Sequence, residues 1–104
     1  MVIRMRIYQT QGPNPDADLI FYGTVKPIHE KHGAHFVGRY LDNKGRHVVM
    51  WSYENEEEMH RIQQDVVNDP ETIRNREMRL RSGLHAIDFE EFVLTSTDAV
   101  KIIG

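Results

Sequence analysis

The sequence predicts an α+β fold in which helices cover one face of an antiparallel sheet. Three observations carry that expectation. Apolar and polar residues alternate with a period of two at 2–10, 35–41, 47–53 and 86–95, as strands require. Two intervening stretches, 15–32 and 56–81, repeat at helical spacing and open on capping residues. Segment 27–58 joins a helix end, two aromatic strands and an acidic helix start with little chain between them. The resulting order is β-α-β-β-α(α)-β.

Ile3, Met5 and Ile7 alternate with Arg4, Arg6 and Tyr8, and the run ends in the turn cluster Gln11-Gly12-Pro13-Asn14-Pro15. Asn14 before Pro15 reads as a helix start, with Asp16 and Asp18 where the helix dipole favours negative charge. This helix is expected to reach about His32, with Phe21, Val25, Ile28 and His32 on one face. Pro27 has no N–H for the carbonyl four residues back, so a kink is predicted near Lys26, and Gly33 stops the helix.

The strands 35–41 and 47–53 are joined by Asp42-Asn43-Lys44-Gly45, a hairpin turn with Gly45 left-handed. Asn55 to Glu58 reads as a capping box, opening a helix that buries Met59, Ile62 and Val66. Asp69-Pro70-Glu71 starts another, running to Arg81 with Ile73, Glu77 and Leu80 on one face. The last strand alternates Ile87, Phe89, Glu91 and Val93 against Asp88, Glu90, Phe92 and Leu94. The apolar tail, 96–104, is expected to dock.

This is the ferredoxin-like order, one domain over 1–104. If Ile3, Met5, Ile7, Val48 and Met50 turn toward the helices, then Tyr8, Val49, Trp51, Tyr53, Phe92 and Leu94 point away. A monomer would leave that aromatic surface in water, so a two-fold homodimer packed sheet to sheet is predicted, with a cavity between the sheets.

Composition narrows the function classes. The chain has 104 residues, a net charge of −3 and no cysteine. That charge gives no reason to expect nucleic acid or an anionic membrane surface. Without cysteine there is no disulfide scaffold, thiolate nucleophile or zinc–sulfur site. No apolar run reaches the roughly 18 residues of a membrane span and no signal-peptide pattern opens the chain, so a cytoplasmic protein is expected.

Arg6-x-Tyr8, Pro27-Ile28-His29-Glu30-Lys31-His32-Gly33, Val37-Gly38, Trp51-Ser52-Tyr53-Glu54 with its acidic helix start, and Asp69-Pro70 with the arginine-rich helix after it occur in that order. Together they resemble the NIPSNAP family, small domains of the dimeric α+β barrel superfamily, over nearly the whole chain. Leu19-Ile20-Phe21-Tyr22 is more apolar than the family leads one to expect, and the tail also departs. The resemblance implies a fold and a homodimer, with a biochemical role that is poorly defined. Related barrels include cofactor-free oxygenases, haem-degrading enzymes and small isomerases, an analogy of fold alone.

Among chemistry-bearing residues, His29 and His32 lie one helical turn apart, but no carboxylate pattern completes a metal site and Gly33 intervenes before His35. The histidines of HEKHG are three apart rather than the four of a zinc-protease helix. No metal or organic cofactor is expected. His29 is expected to be solvated and His32 to pack beneath the sheet.

Arg74, Arg76, Arg79 and Arg81 are balanced by Glu71, Glu77 and the acidic 54–58 run and read as a solvated face. Arg4, Arg6 and Tyr8 share a strand face, as do Trp51 and Tyr53. Turned into the dimer cavity, they would bind a small aromatic or lipophilic anion: Arg6 pairing with the charge, Tyr8 and Tyr53 positioning, Trp51 stacking. His32 is the candidate proton acceptor. Two other readings stand beside this one: a cofactor-free oxygenase or isomerase, and a non-catalytic dimeric interaction module.

Overall fold

The computed structural model describes residues 1–82 and 87–97. Strands β1 (Val2–Tyr8), β2 (His35–Leu41), β3 (His47–Tyr53) and β4 (Phe89–Thr95) form one sheet in the order β2-β3-β1-β4. Every pairing is antiparallel. With α1 (Pro15–Ile20), α2 (Lys26–Lys31), α3 (Glu56–Val67) and α4 (Pro70–Arg81), this is the ferredoxin-like α+β arrangement. Among the described residues, no helix is long and apolar enough to cross a membrane.

The first helical stretch shows how a proline is accommodated. Asn14 caps α1 by accepting from the Ala17 N–H at 3.1 Å. The expected kink takes the form of a π-helical turn over Phe21–Val25, after which Pro27 falls at the start of α2. The Lys26 N–H donates to the Phe21 carbonyl, five residues back. Widening by one residue places proline at the opening of a new α-segment, where its missing N–H matters least. Gly33, at φ 106°, then ends α2.

The hairpin forms as its sequence dictates. The Asp42 carboxylate accepts from the N–H groups of Lys44 and Arg46, each at 2.8 Å, and Gly45 sits at φ 81°. The capping box at α3 is half made. Asn55 accepts from the Glu58 N–H at 2.8 Å, but the Glu58 carboxylate turns to Arg61, 2.7 Å away. A charge-assisted bond to the residue three ahead outcompetes the neutral backbone N–H behind it.

The core lies between the sheet and α2 and α3, around Val2, Ile28, Val49, Trp51, Tyr53, Met59, Ile62 and Val66. This reverses the expected orientation of the sheet. Register aligns Arg4 with Trp51 and Val93, Arg6 with Val49 and Glu91, and Tyr8 with His47 and Phe89. That face is the one under the helices. Ile3, Met5, Ile7, Val48 and Met50 lie instead on the open face, beside Phe92 and Leu94. The expectation that Phe92 and Leu94 point away from the helices agrees with this register; placing Tyr8, Val49, Trp51 and Tyr53 with them does not.

α4 buries none of its side chains, and Ile73 and Leu80 are exposed. The strand expected from 86 begins at Phe89. Ala86 and the tail 98–104 lie outside the described residues, as does the expected docking of that tail.

Replacing Asn55 by Ala removes the one side-chain cap of α3 and should lower unfolding free energy by about 1 kcal/mol in urea titration. Glu58→Gln, which alters an exposed i,i+3 pair, should stay within about 0.5 kcal/mol of the parent.

Candidate functional site

Two arginines at alternate positions of β1 must both point at the core side of the sheet, since side chains two apart share a face. Arg4 is almost wholly enclosed, at 3% exposure. A buried guanidinium has to be neutralised and hydrogen-bonded. Arg4 donates to the Tyr53 hydroxyl through Nε at 3.3 Å and Nη2 at 3.2 Å, and Nη1 approaches Glu91 Oε1 at 3.5 Å. Tyr53, fully buried, is thereby the polar neighbour that makes Arg4 tolerable.

Arg6 lies one step nearer the surface. Its Nε donates to Glu91 Oε1 at 2.7 Å, and its guanidinium sits 4.2 Å from the centre of the Phe89 ring. Partial burial works against charge on Glu91, but the Arg6 and Arg4 guanidiniums beside it hold the carboxyl below its ordinary range.

His29 completes the group. It projects from α2 onto Trp51, the rings stacked at 4.7 Å and 16°. Its Nδ1 is buried with no hydrogen-bond partner. Burial, then the positive charges of Arg4, Arg6 and His32, push its pKa down to about 4, so the ring is neutral at pH 7. Arg4, Arg6, His29, Gln63, Val66, Val67 and Glu91 line a cavity of about 320 Å³ between the sheet and α2 and α3.

The sequence-derived site is thus divided. Arg4 and Arg6 line the cavity. Trp51 and Tyr53 stand behind it as core, and Tyr8 packs against Phe89 at a ring distance of 5.4 Å. None of the five faces the space beyond the open side of the sheet. The reason is the register, which ties all of them to the helix-covered face.

His32 lies elsewhere. Its Nε2 is 2.7 Å from Asp69 Oδ2, at the junction of α2 and α4, and it lines neither described cavity. Both histidines are half-buried: His29 lies over Trp51 rather than in solvent, and His32 links helices rather than packing beneath the sheet. Asp69 also receives Lys31 at 2.6 Å and caps α4 through the Glu71 N–H. Lys31, His32 and that N–H hold its carboxyl far below the usual range.

Sequence reasoning missed His29, Gln63, Val67 and Glu91. A signal existed for two of them. Val25, Ile28, His29 and His32 follow the i, i+3, i+4, i+7 spacing of a buried helix face. Glu91 stands between Phe89 and Val93 in the alternation of β4, an acid on the side that also carries large apolar residues.

A second hollow of about 280 Å³ lies near β2, lined by Asp18, Tyr22, Arg39, Tyr40 and His47 among others. Its cation is already engaged: Arg39 pairs with Asp18 and lies 5.1 Å from the Phe21 ring centre. His47 there is held by Thr10 at 2.7 Å. The cavity at β1 carries the greater excess of positive charge.

No family model matches the sequence, and no curated protein does. Solved structures do. A NIPSNAP domain protein from Burkholderia xenovorans superposes with a TM-score of 0.77 at 15% identity, covering 98% of this chain and 100% of its own. The chain has the NIPSNAP fold. A NIPSNAP family protein from Agrobacterium tumefaciens agrees, with a TM-score of 0.71 at 17% identity over 94% of each chain. A candidate antibiotic biosynthesis monooxygenase from Deinococcus radiodurans shares the fold more distantly, with a TM-score of 0.55 at 15% identity over the full length of both. The NIPSNAP likeness read from the sequence motifs and the likeness of the structures therefore point the same way.

His29 gives a pH signature. Its folded-state pKa of about 4 lies below the ordinary 6.5, so between these values the unfolded chain binds a proton that the folded chain refuses. Stability should be full above pH 6.5 and fall as pH drops toward 4, by on the order of 2–3 kcal/mol. His47, also lowered by burial and Arg39, adds in the same direction. Urea midpoints across this range should show a shallower slope in His29→Gln than in the parent; equal slopes would mean His29 is not held neutral.

Proposed function

We propose that this NIPSNAP-like protein binds a small aromatic or lipophilic anion in the cavity between the sheet and α2 and α3 of each protomer. The observation that carries the reading is the pairing of Arg4 and Arg6 on the inward face of β1, against an apolar wall of Val66 and Val67. The arginines supply a planar anion seat, and the valines and the neutral His29 ring accept an apolar body. The volume is near the lower end of the roughly 300–1,000 Å³ typical of ligand sites, which favours a single ring bearing one acidic group. Arg6 is the working contact because it is 30% exposed, whereas Arg4 is committed to Tyr53.

The protein acts as a homodimer through the open face of its sheet. Ile3, Met5, Ile7, Val48, Met50, Phe92 and Leu94 share that face, with Phe92 and Leu94 more than 40% exposed. A contiguous apolar surface of this kind is what a self-complementary two-fold interface covers. The binding cavity then lies outside the interface, one to each protomer.

Benzoate titrated against the fluorescence of Trp51, the single tryptophan, tests the site. Saturable quenching is expected in the parent, with roughly tenfold or greater weakening in Arg6→Ala, the usual scale for loss of one charge-assisted contact. Unchanged affinity in Arg6→Ala sinks the assignment. Light scattering with size exclusion should give a dimer for the parent and a monomer for Met5→Glu, which places a charge at the centre of the open face. A monomeric parent would remove the dimer.

A further inference from the structure

We propose that Glu91 is the selectivity element of this cavity, an internal counter-ion that makes it a site for monoanions and turns dianions away. The inference rests on the anion-binding reading above and specifies the class of ligand.

Charge and geometry lead to it. Among the described residues, the titratable groups facing the cavity are Arg4 and Arg6 from β1, Glu91 from β4 and His29 from α2; Gln63 from α3 is polar and uncharged. Tyr53 from β3 sits behind Arg4, and His32 lies near His29 on α2. With His29 neutral and Glu91 ionised, one positive charge is left in excess. A monoanion brings the cavity to neutrality. A dianion leaves it with a net negative charge in a partly enclosed space, where like charges repel more strongly than in water.

Glu91 is also placed to yield. Its Oε1 touches both guanidiniums, at 2.7 Å from Arg6 and 3.5 Å from Arg4, so it occupies the position an incoming carboxylate would take. It is 36% exposed against 3% for Arg4, and it stands on β4, each of whose residues is exposed. The Glu91–Arg6 pair, with both side chains about a third exposed, contributes little to stability, and a bound monoanion would take over the neutralisation of Arg4. A ligand can therefore displace the carboxylate from Arg6 at small cost, while its charge stays within a few ångströms and is weakly screened.

The tests use two probes of one shape and different charge, 2-methylbenzoate and phthalate, titrated by Trp51 fluorescence and calorimetry at pH 7.5. The parent should bind 2-methylbenzoate at least tenfold more tightly than phthalate. Glu91→Gln, which keeps size and removes charge, should tighten 2-methylbenzoate about tenfold and phthalate more, reducing or reversing the preference. Glu91→Thr, a good strand former, should do the same if Gln perturbs β4.

In the parent, the Arg6 Nε–H resonance should also move on adding 2-methylbenzoate as its partner changes. Binding by the parent with no change of preference in either variant overturns the Glu91 assignment and leaves the anion site standing. Binding of neither probe by any of the three proteins removes the anion site and this inference together.

Discussion

Burying the Arg4 guanidinium constrains the centre of this molecule more than any other single interaction. A charge almost out of contact with water is tolerable only where its donors are met. Tyr53 meets two of them from β3, and Glu91 approaches from β4 on the other side. Arg4 therefore fastens the middle strand to both neighbours through side chains, in the same register as the backbone ladder. A one-residue slip of either neighbour would turn its polar group to the opposite face and strand the charge. Because Arg6 follows two positions later, that same register brings the second cation to Glu91.

The helices answer to the sheet through a second set of polar anchors. Asp69 gathers Lys31 and His32 from the end of α2 and caps the start of α4, so one carboxylate fixes a three-way junction. The π-helical turn upstream rotates α2 relative to α1, and His29 comes to lie flat on Trp51. His29 thus owes its position to Pro27, through the register change the proline imposes. The cavity exists because α3 presents Gln63, Val66 and Val67 over β1 while β4 carries exposed residues alone.

Solved structures similar to this one share its fold at identities of 15% to 17%, a range in which backbone architecture persists while side chains diverge. Fold alone assigns no chemistry. The chemistry of this chain is local: two arginines on one inward strand face, an acid that reaches both and a neutral ring beside them. These features are properties of named residues here, whatever the related proteins do.

The sequence by itself determined the elements and their order. Asn14, Asn55 and Asp69 cap helices because their side chains reach unpaired N–H groups a few residues on, and Gly33 and Gly45 supply positive φ where it is required. Such signals are short-range, so they survive in the sequence. Period-two alternation likewise decided that Arg4, Arg6 and Tyr8 share a face, and Trp51 with Tyr53.

Only the tertiary structure decided which face the helices cover. Both faces of this sheet carry large apolar residues, Ile3, Met5 and Ile7 on one and Val49, Trp51 and Tyr53 on the other, so alternation is symmetric between the two solutions. Assigning the arginines outward follows the usual cost of burying charge. That cost is offset by partners 49 and 87 residues away, Tyr53 and Glu91, which no local pattern connects to Arg4. Pairing over such distances is a collective outcome of strand order and helix packing, and it placed the cavity inside the protomer.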